Sequence, residues 1–326
     1  MIKKIITGVK PTGSSMHLGN LLGAVLPFKN LAKGNDAAIF IADLHALTSV
    51  KDGEKLRAQS LELAIEYLSI FGKDTPITIF RQSDIVDITK LMWVLSNVTP
   101  YSLMLRAHSF KDAEAKNSDI NMGVFNYPIL MAADIIGYDI DAVPVGKDQI
   151  QHLEMTRDIA RAFNKTYGKE VFLEPEAIIT KEVETLPGID GRKMSKSYDN
   201  FIWVFDDEKT MKKRVMSIVT DSLGVDDVKN PDTCNVFSLI QVFGTPNEIA
   251  SIREKYITPN IGFWYGHAKL ALLEILQRYL SEYRNTRMEL LNDIPFVETK
   301  LADGARIMNA RLEAKMQVVR EVVGIH

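Results

Sequence analysis

Residues 193–197 read Lys-Met-Ser-Lys-Ser, inside Gly191-Arg192-Lys193-Met194-Ser195-Lys196-Ser197-Tyr198, and they put two ammonium groups and two hydroxyls into one short loop. A given five-residue string occurs by chance in a chain of this length on the order of once in ten thousand. Paired cations suit a highly anionic ligand, and they match the charge that builds on a departing pyrophosphate in a partly dehydrated site. Gly188 and Gly191 flank the segment, so the loop is expected to close over a ligand and reopen.

Far upstream, His17-Leu18-Gly19-Asn20 follows the turn residues Pro11-Thr12-Gly13 and opens a helical stretch over 18–32. An apolar segment at 2–6 precedes the turn. Strand, glycine turn and helix in this order set free backbone N–H groups and a positive dipole end against a phosphate. Gly13 and Gly19 permit close backbone approach, Thr12 can donate from the turn, and Gly19 lets a base or ribose lie flat on the helix. His17 alone fits a helix-start residue as well as a site residue. Together the two motifs point to nucleotide chemistry with pyrophosphate as leaving group.

In Tyr127-Pro128-Ile129-Leu130-Met131-Ala132-Ala133-Asp134-Ile135-Ile136, residues Met131, Asp134 and Ile135 fall at i, i+3 and i+4 on one helix face. A carboxylate among such neighbours is costly unless something donates to it. Asp134 therefore either turns to solvent or a nearby backbone, or is a buried acceptor for a ligand N–H with Met131 and Ile135 lining an apolar slot. The residues alone weigh these evenly. Ala142-Val143-Pro144-Val145-Gly146-Lys147-Asp148-Gln149 reads as a strand that ends in glycine and enters a helix. Asp148 fits an N-cap and equally a ribose ligand, while Gln149 suits the polar end of an amino acid. Lys111 reads as a loop surface lysine, and His45 as core or site.

To position these groups the first two hundred residues alternate apolar runs at 2–6, 37–41, 77–80 and 142–145 with helical patterns at 18–33, 53–71, 87–98 and 148–163. That alternation implies an α/β fold: a parallel sheet covered on both sides, with ligands at the carboxyl ends of its strands. After Asn200 strand-like runs become scarce, and helical patterns at 207–219, 245–256, 266–284 and 295–323 dominate. The expected division is a domain at 1–200 that ends in the Lys193–Ser197 loop and a helical domain at 201–326.

The chain of 326 residues has 46% apolar content, enough for one large or two medium domains with real cores. Its net charge of −3 and pI near 6.1 argue against non-specific coating of nucleic acid, though not against a local basic surface that reads one RNA. Cys234 is the one cysteine, which excludes internal disulfides and thiolate metal centres and points to a reducing, cytoplasmic home. The N-terminal apolar stretch is too short for a signal segment, and no run approaches a bilayer span.

With these residues in view, the chain resembles the class I aminoacyl-tRNA synthetases and, among them, the bacterial-type tryptophanyl-tRNA synthetases. The likeness runs nearly end to end, through Gly8-Val9-Lys10-Pro11-Thr12-Gly13, His17 to Asn20, Asp43-Leu44-His45-Ala46, Tyr127 to Asp134, Val143 to Gln149, Gln151-His152, Thr156-Arg157-Asp158 and the Lys193–Ser197 loop. Met131-Ala132-Ala133-Asp134 and Pro144-Val145-Gly146 set it apart from the relatives specific for tyrosine.

The resemblance implies a Rossmann-type, doubly wound catalytic domain, an all-helical C-terminal domain that binds the tRNA anticodon, and a homodimer. It implies ATP with magnesium as cofactor, no protein-ligated metal, and L-tryptophan and tRNA(Trp) as partners. Tryptophan would be activated to its adenylate and then passed to the tRNA 3′ end. In this likeness Asp134 accepts the indole N–H, with Ile6, Gly8, His45, Met131, Ile135, Val143 and Val145 around the ring, while Tyr127 and Gln149 hold the α-amino group. Lys10, Pro11, Thr12, His17, Gly19, Asn20, Gly146, Lys147, Asp148 and Leu186 would serve ATP. Lys193, Met194, Ser195, Lys196 and Ser197 would complete the ATP set, and Lys111, Lys193, Ser195 and Lys196 would hold the triphosphate as the catalytic group.

The sequence departs from the family at Lys10, where Gln is usual, at Lys147 for Glu, at Ile6 for Phe and at His17 for Thr. A cation at position 10 could pair with the substrate carboxylate or with a phosphate. A slot whose buried acceptor needs an N–H rejects phenylalanine by roughly 10⁴ or more, which leaves no need for an editing domain. Arg278, Arg284, Arg287, Arg306, Arg311, Lys315 and Arg320 are expected, as a group, to face tRNA. The competing readings are a small-molecule nucleotidyltransferase, which would not need so long a helical half, and a non-catalytic RNA-binding paralogue, which would not need the lysines intact.

Overall fold

The computed structural model describes residues 2–13, 15–107, 110–111, 120–146, 149–179 and 186–326. Its contacts group into two compact units: Met1–Ser14, Phe28–Lys181 and Leu290–His326 form the first, Ser15–Pro27 and Glu182–Glu289 the second.

The first unit holds a five-stranded parallel sheet: β1 (Lys4–Val9), β2 (Asp36–Ile41), β3 (Thr78–Arg81), β4 (Ala142–Val145) and β5 (Glu176–Ile179), in the order β3-β2-β1-β4-β5. It is the doubly wound arrangement. The order reverses between β1 and β4, so a crevice opens past their carboxyl ends. Strand β1 runs further than the apolar segment at 2–6, because Thr7, Gly8 and Val9 stay in register with Ile39, Phe40 and Ile41 of β2. The Phe40 ring occupies the space that a Cβ on Gly8 would fill, 2.3 Å from its position, so only glycine fits there.

The longer helices of this unit are α1 (Gly53–Phe71), α2 (Ile88–Ser96), α3 (Met122–Ile136) and α4 (Ile150–Tyr167). Asp52 caps α1 by accepting from Glu54 and Lys55, and Asn121 caps α3 by accepting from Val124. Apolar faces of α2, α3 and α4 bury Leu91, Leu95, Ala132, Ala133, Ile159 and Phe163 against Ile6, Phe40 and Phe80 of the sheet.

The second unit is helical, with α5 (Glu208–Met216), α6 (Asn235–Phe243), α7 (Pro246–Ile257) and most of α8 (Tyr265–Leu291). The last helix, α9 (Ile294–Val323), belongs to the sheet unit and not to this one. Compactness thus divides the chain elsewhere than at a single cut near residue 200: residues 15–27 group with the helical part and 290–326 with the sheet. Helix α9 lies so close to β3 that a Cβ on Gly304 would stand 2.0 Å from the Ile79 carbonyl oxygen.

Several cations expected to face RNA instead fasten α9. Arg311 pairs with Asp36 at 2.8 Å, Lys315 with Asp139 at 2.6 Å, and Arg320 with Asp87 and Glu313. Arg284, in the helical unit, is half-buried and donates to the Val204 carbonyl.

Candidate active site

A cavity of about 350 Å³ opens at the strand reversal of the sheet unit. Ile6, Thr7, Gly8 and Lys10 come from the end of β1, Val143, Pro144, Val145 and Gly146 from β4, and Phe40 and Ala42 from β2. His45 follows β2; Tyr127, Met131, Asp134 and Ile135 line it from α3, and Gln149 and His152 from the start of α4. Its volume lies at the small end of the roughly 300–1,000 Å³ usual for ligand sites. It suits one amino-acid-sized molecule.

Asp134 is 2% exposed in this wall. Its Oδ2 accepts from His45 Nε2 at 2.9 Å and from Gln82 Nε2 at 2.7 Å, and no described residue donates to Oδ1. Burial pushes the carboxyl above its ordinary range, against the pull of the His45 and Gln82 hydrogen bonds. His45 Nδ1 has no partner among the described residues, which fits the tautomer with the proton on Nε2, directed at Asp134. The cavity thus presents one oxygen of a buried, two-donor-braced carboxylate beside Met131, Ile135, Val143 and Val145. It is an acceptor set in an apolar slot, the second of the two readings open from the sequence.

Gln82 had no signal in the sequence beyond following the end of a strand. It is fully buried, in the 3₁₀ turn Gln82–Asp84 after β3, and its Oε1 accepts from the His45 backbone at 3.3 Å. Asp43 ties the same turn to the short helix Asp43–Ala46 by accepting from the Ser83 backbone at 2.9 Å and from the Ser83 hydroxyl. These bonds fix His45 and Gln82 on Asp134. Two turns before Asp134 on the same helix, Tyr127 Oη and His152 Nε2 share a 2.9 Å hydrogen bond, and the Tyr127 ring meets His45 edge-on with centroids 5.9 Å apart. The Lys10 ammonium lies 5.1 Å from the Tyr127 ring centroid, so Lys10 stands in this cavity with the residues expected to surround an indole.

The other signatures meet inside the helical unit. His17 and Trp203 form a β-bridge, Leu18 N–H donates to the Ile202 carbonyl at 2.9 Å, and His17 stacks on Phe201. Lys196 Nζ stands 5.6 Å from the Trp203 ring centroid. A Cβ on Gly19 would lie 3.6 Å from the Met194 Cβ, so the bare helix start and the Lys193–Ser197 loop touch there. His17 Nδ1 accepts from the Asn20 backbone at 3.2 Å. Burial, aided by the nearby Lys196 charge, pushes the His17 imidazole down to about 4, so it is neutral at physiological pH.

The loop is braced by Asn200, which is 1% exposed and which the sequence marked only as a boundary. Its side chain accepts from Ser195 N–H at 2.8 Å and donates to Asp190 at 2.7 Å and to the Lys193 carbonyl at 3.0 Å. Gly188 is glycine because Asn200 fills its Cβ space at 2.4 Å, and Gly191 because its φ is +81°. Both flanking glycines thus serve a local turn. Met194 is buried and donates its N–H to the carbonyl of buried Leu186, while Lys193, Lys196 and Ser197 are exposed. Two ammoniums on a braced loop, beside a bare helix start, can hold a polyphosphate.

Lys111 is exposed, and neither Pro11 nor Thr12 lines the cavity. Lys147 and Asp148 lie outside the described residues.

A Rossmann-type sheet with its cavity at the strand reversal, joined in one chain to both nucleotide signatures, defines a class I synthetase. Residues 3–281 match the family described as "tRNA synthetases class I (W and Y)", and the chain belongs to that family. Within it, the chain is 42% identical to the tryptophan–tRNA ligase of Fusobacterium nucleatum subsp. nucleatum over 324 residues, covering 99% of this chain and 98% of that one. It is 41% identical to the tryptophan–tRNA ligase of Campylobacter jejuni, covering 99% and 100%. Among solved structures, the tryptophanyl-tRNA synthetase of Campylobacter jejuni complexed with ADP and tryptophan aligns with a TM-score of 0.93 at 40% identity, over 99% of this chain and 100% of that one.

Proposed function

We infer that this chain is a tryptophan–tRNA ligase. It activates L-tryptophan with ATP, the α-carboxylate attacking the α-phosphorus as the bond to pyrophosphate breaks, and it then transfers the aminoacyl group to tRNA(Trp). The observation that carries the reading is the buried Asp134 carboxylate, braced by His45 and Gln82 with one oxygen open to an apolar, amino-acid-sized cavity. An aromatic amino acid whose ring carries a hydrogen-bond donor, as indole does, satisfies that acceptor, and phenylalanine leaves it unpaired.

In this reading Asp134 takes the indole N–H, and Ile6, Gly8, Met131, Ile135, Val143 and Val145 surround the ring. Tyr127 and Gln149 hold the α-amino group. His17, Gly19, Asn20, Leu186 and Met194, with Pro11, Thr12, Gly146, Lys147 and Asp148, form the nucleotide set. ATP acts as its magnesium complex. Lys111, Lys193, Ser195, Lys196 and Ser197 hold the phosphates, and fixed cations stabilise the charge that moves onto pyrophosphate.

A homodimer is supported by an apolar surface where Trp93 and Tyr101, 72% and 69% exposed, border a hollow with Met92, Phe125 and Ile129. No helix among the described residues is long and apolar enough to cross a membrane, and the lone, buried Cys234 fits a reducing cytoplasm.

The test is exchange of labelled pyrophosphate into ATP, run with each of the twenty amino acids, followed by aminoacylation of tRNA(Trp). Tryptophan alone should support both. Exchange driven by another amino acid, or none at all, would overturn the assignment.

A further inference from the structure

Lys10 is the one lysine or arginine among the described residues that line the cavity. Its ammonium makes no hydrogen bond or ion pair with any described residue. It rests instead near the face of Tyr127, 5.1 Å from the ring centroid, a contact that holds a cation only weakly at an accessible site. Lys10 is exposed as a residue, and partial burial lowers its pKa from 10.5. An unpaired cation facing a ligand cavity is complementary to an anion.

The ligand's own charges choose the partner. Free tryptophan is a zwitterion with three polar handles: an indole N–H, an α-ammonium and an α-carboxylate. Asp134 answers the N–H. The α-ammonium is repelled by Lys10 and is left to the hydroxyl and amide of Tyr127 and Gln149. The α-carboxylate then has a single fully charged partner among the described lining residues.

Resting on the functional reading above, we propose that the Lys10 ammonium binds the α-carboxylate of tryptophan and so holds the nucleophile of the first step in the amino-acid cavity. Lys10 is on this account a substrate-binding residue of the tryptophan site and not of the phosphate site. Adenylation turns the carboxylate into the uncharged acyl end of a mixed anhydride only once the bond to phosphorus is made, so the ion pair is present in the bound substrate and is kept up to the transition state. Binding energy of that kind appears in substrate affinity and not in the turnover rate.

The experiment is fluorescence or calorimetric titration of the full chain without ATP, using tryptophan, tryptamine (no carboxylate) and indole-3-propionate (no amine). Lys10→Gln should weaken tryptophan and indole-3-propionate by about tenfold or more, since hydrogen bonds to charged groups are typically worth that factor. Tryptamine, whose ammonium Lys10 repels, should bind unchanged or more tightly, and Lys10→Arg should restore much of the lost tryptophan affinity. In pyrophosphate exchange the variant should show a raised KM for tryptophan with kcat and the KM for ATP little changed.

Equal weakening of all three ligands would show a merely structural role and overturn the proposal. So would unchanged tryptophan affinity with a raised KM for ATP, which would assign Lys10 to a phosphate. Both outcomes leave the ligase reading standing, whereas a wild-type chain that binds no tryptophan would overturn that reading and this one together.

Discussion

Asp134→Asn changes one oxygen to an amide and reverses what the cavity offers. In the native site Oδ2 takes donors from His45 and Gln82, and Oδ1, to which no described residue donates, is the oxygen the proposed reading gives to the indole N–H. Asparagine has one acceptor oxygen. If it serves His45 and Gln82, the NH₂ group meets the indole N–H donor to donor; if it faces the indole, the NH₂ meets two other donors. The variant loses a charge-assisted hydrogen bond, about 1.5–3 kcal/mol, and leaves a buried donor unpaired, about 1–3 kcal/mol. The total of about 2.5–6 kcal/mol corresponds to a loss in kcat/KM for tryptophan between roughly 60-fold and 10⁴-fold.

Phenylalanine has no N–H, so its kcat/KM should move by less than about tenfold, and the tryptophan-to-phenylalanine ratio should collapse. Stability should move the other way. The native carboxyl is pushed up by burial, so its ionised form destabilises the fold at neutral pH, and a neutral amide should leave the melting temperature unchanged or higher. Native selectivity should also begin to fall in acid above the ordinary carboxylate range, as Asp134 takes up a proton. The assays are pyrophosphate exchange with both amino acids and thermal unfolding. A selectivity ratio unchanged within threefold, in a folded variant, would refute the reasoning.

Gln82→Leu removes one of the two donors on Asp134 and should raise the KM for tryptophan by roughly tenfold with kcat little changed; equal KM values would show that Gln82 does not position the carboxylate. Gly304→Ala forces a methyl to within 2.0 Å of the Ile79 carbonyl and should cost about 1–3 kcal/mol, lowering the melting temperature by roughly 2–12 °C; an unchanged transition would contradict the close approach of α9. His17 sits at about 4 in the fold against 6.5 unfolded. Below 6.5 the unfolded chain therefore binds a proton that the native state refuses, and stability is lost as pH falls toward 4. Unfolding of His17→Gln followed across that window should lack this loss, and parallel pH curves for the two proteins would count against a buried neutral imidazole.

Much of the sheet was legible because buried parallel strands are continuous apolar runs, and 37–41, 77–80 and 142–145 all fall on strands. Strand β5 was not, since Glu-Ala-Ile-Ile at the sheet edge is short and half-exposed and resembles any loop with two isoleucines. The end of β1 was missed because Thr7-Gly8-Val9 looks like a turn until Phe40 of the neighbouring strand accounts for the glycine. Helix α9 was seen as a helix, but its pairing with β3 is a contact between residues more than two hundred positions apart, and no local pattern carries that.

In the site, helical spacing alone brought Met131, Asp134 and Ile135 together. It could not decide whether Asp134 was dry or wet, because that depends on His45 and Gln82, which arrive from the segments that follow β2 and β3. Gln82 and Asn200 are single polar residues with no motif. Position past the carboxyl end of β3 was the one available hint for the first, and Asn200 had none.

The return of α9 to β3 also bears on biosynthesis. About a hundred residues of helical unit lie between Lys181 and Leu290, and closing a loop of that size adds only modestly to the entropy of joining its ends. Time is the larger cost. A ribosome must release residues 182–289 before the segment that seals Ile79 and Phe80 exists, so the nascent sheet waits with an apolar flank bare, and that interval is where a holdase would find its target.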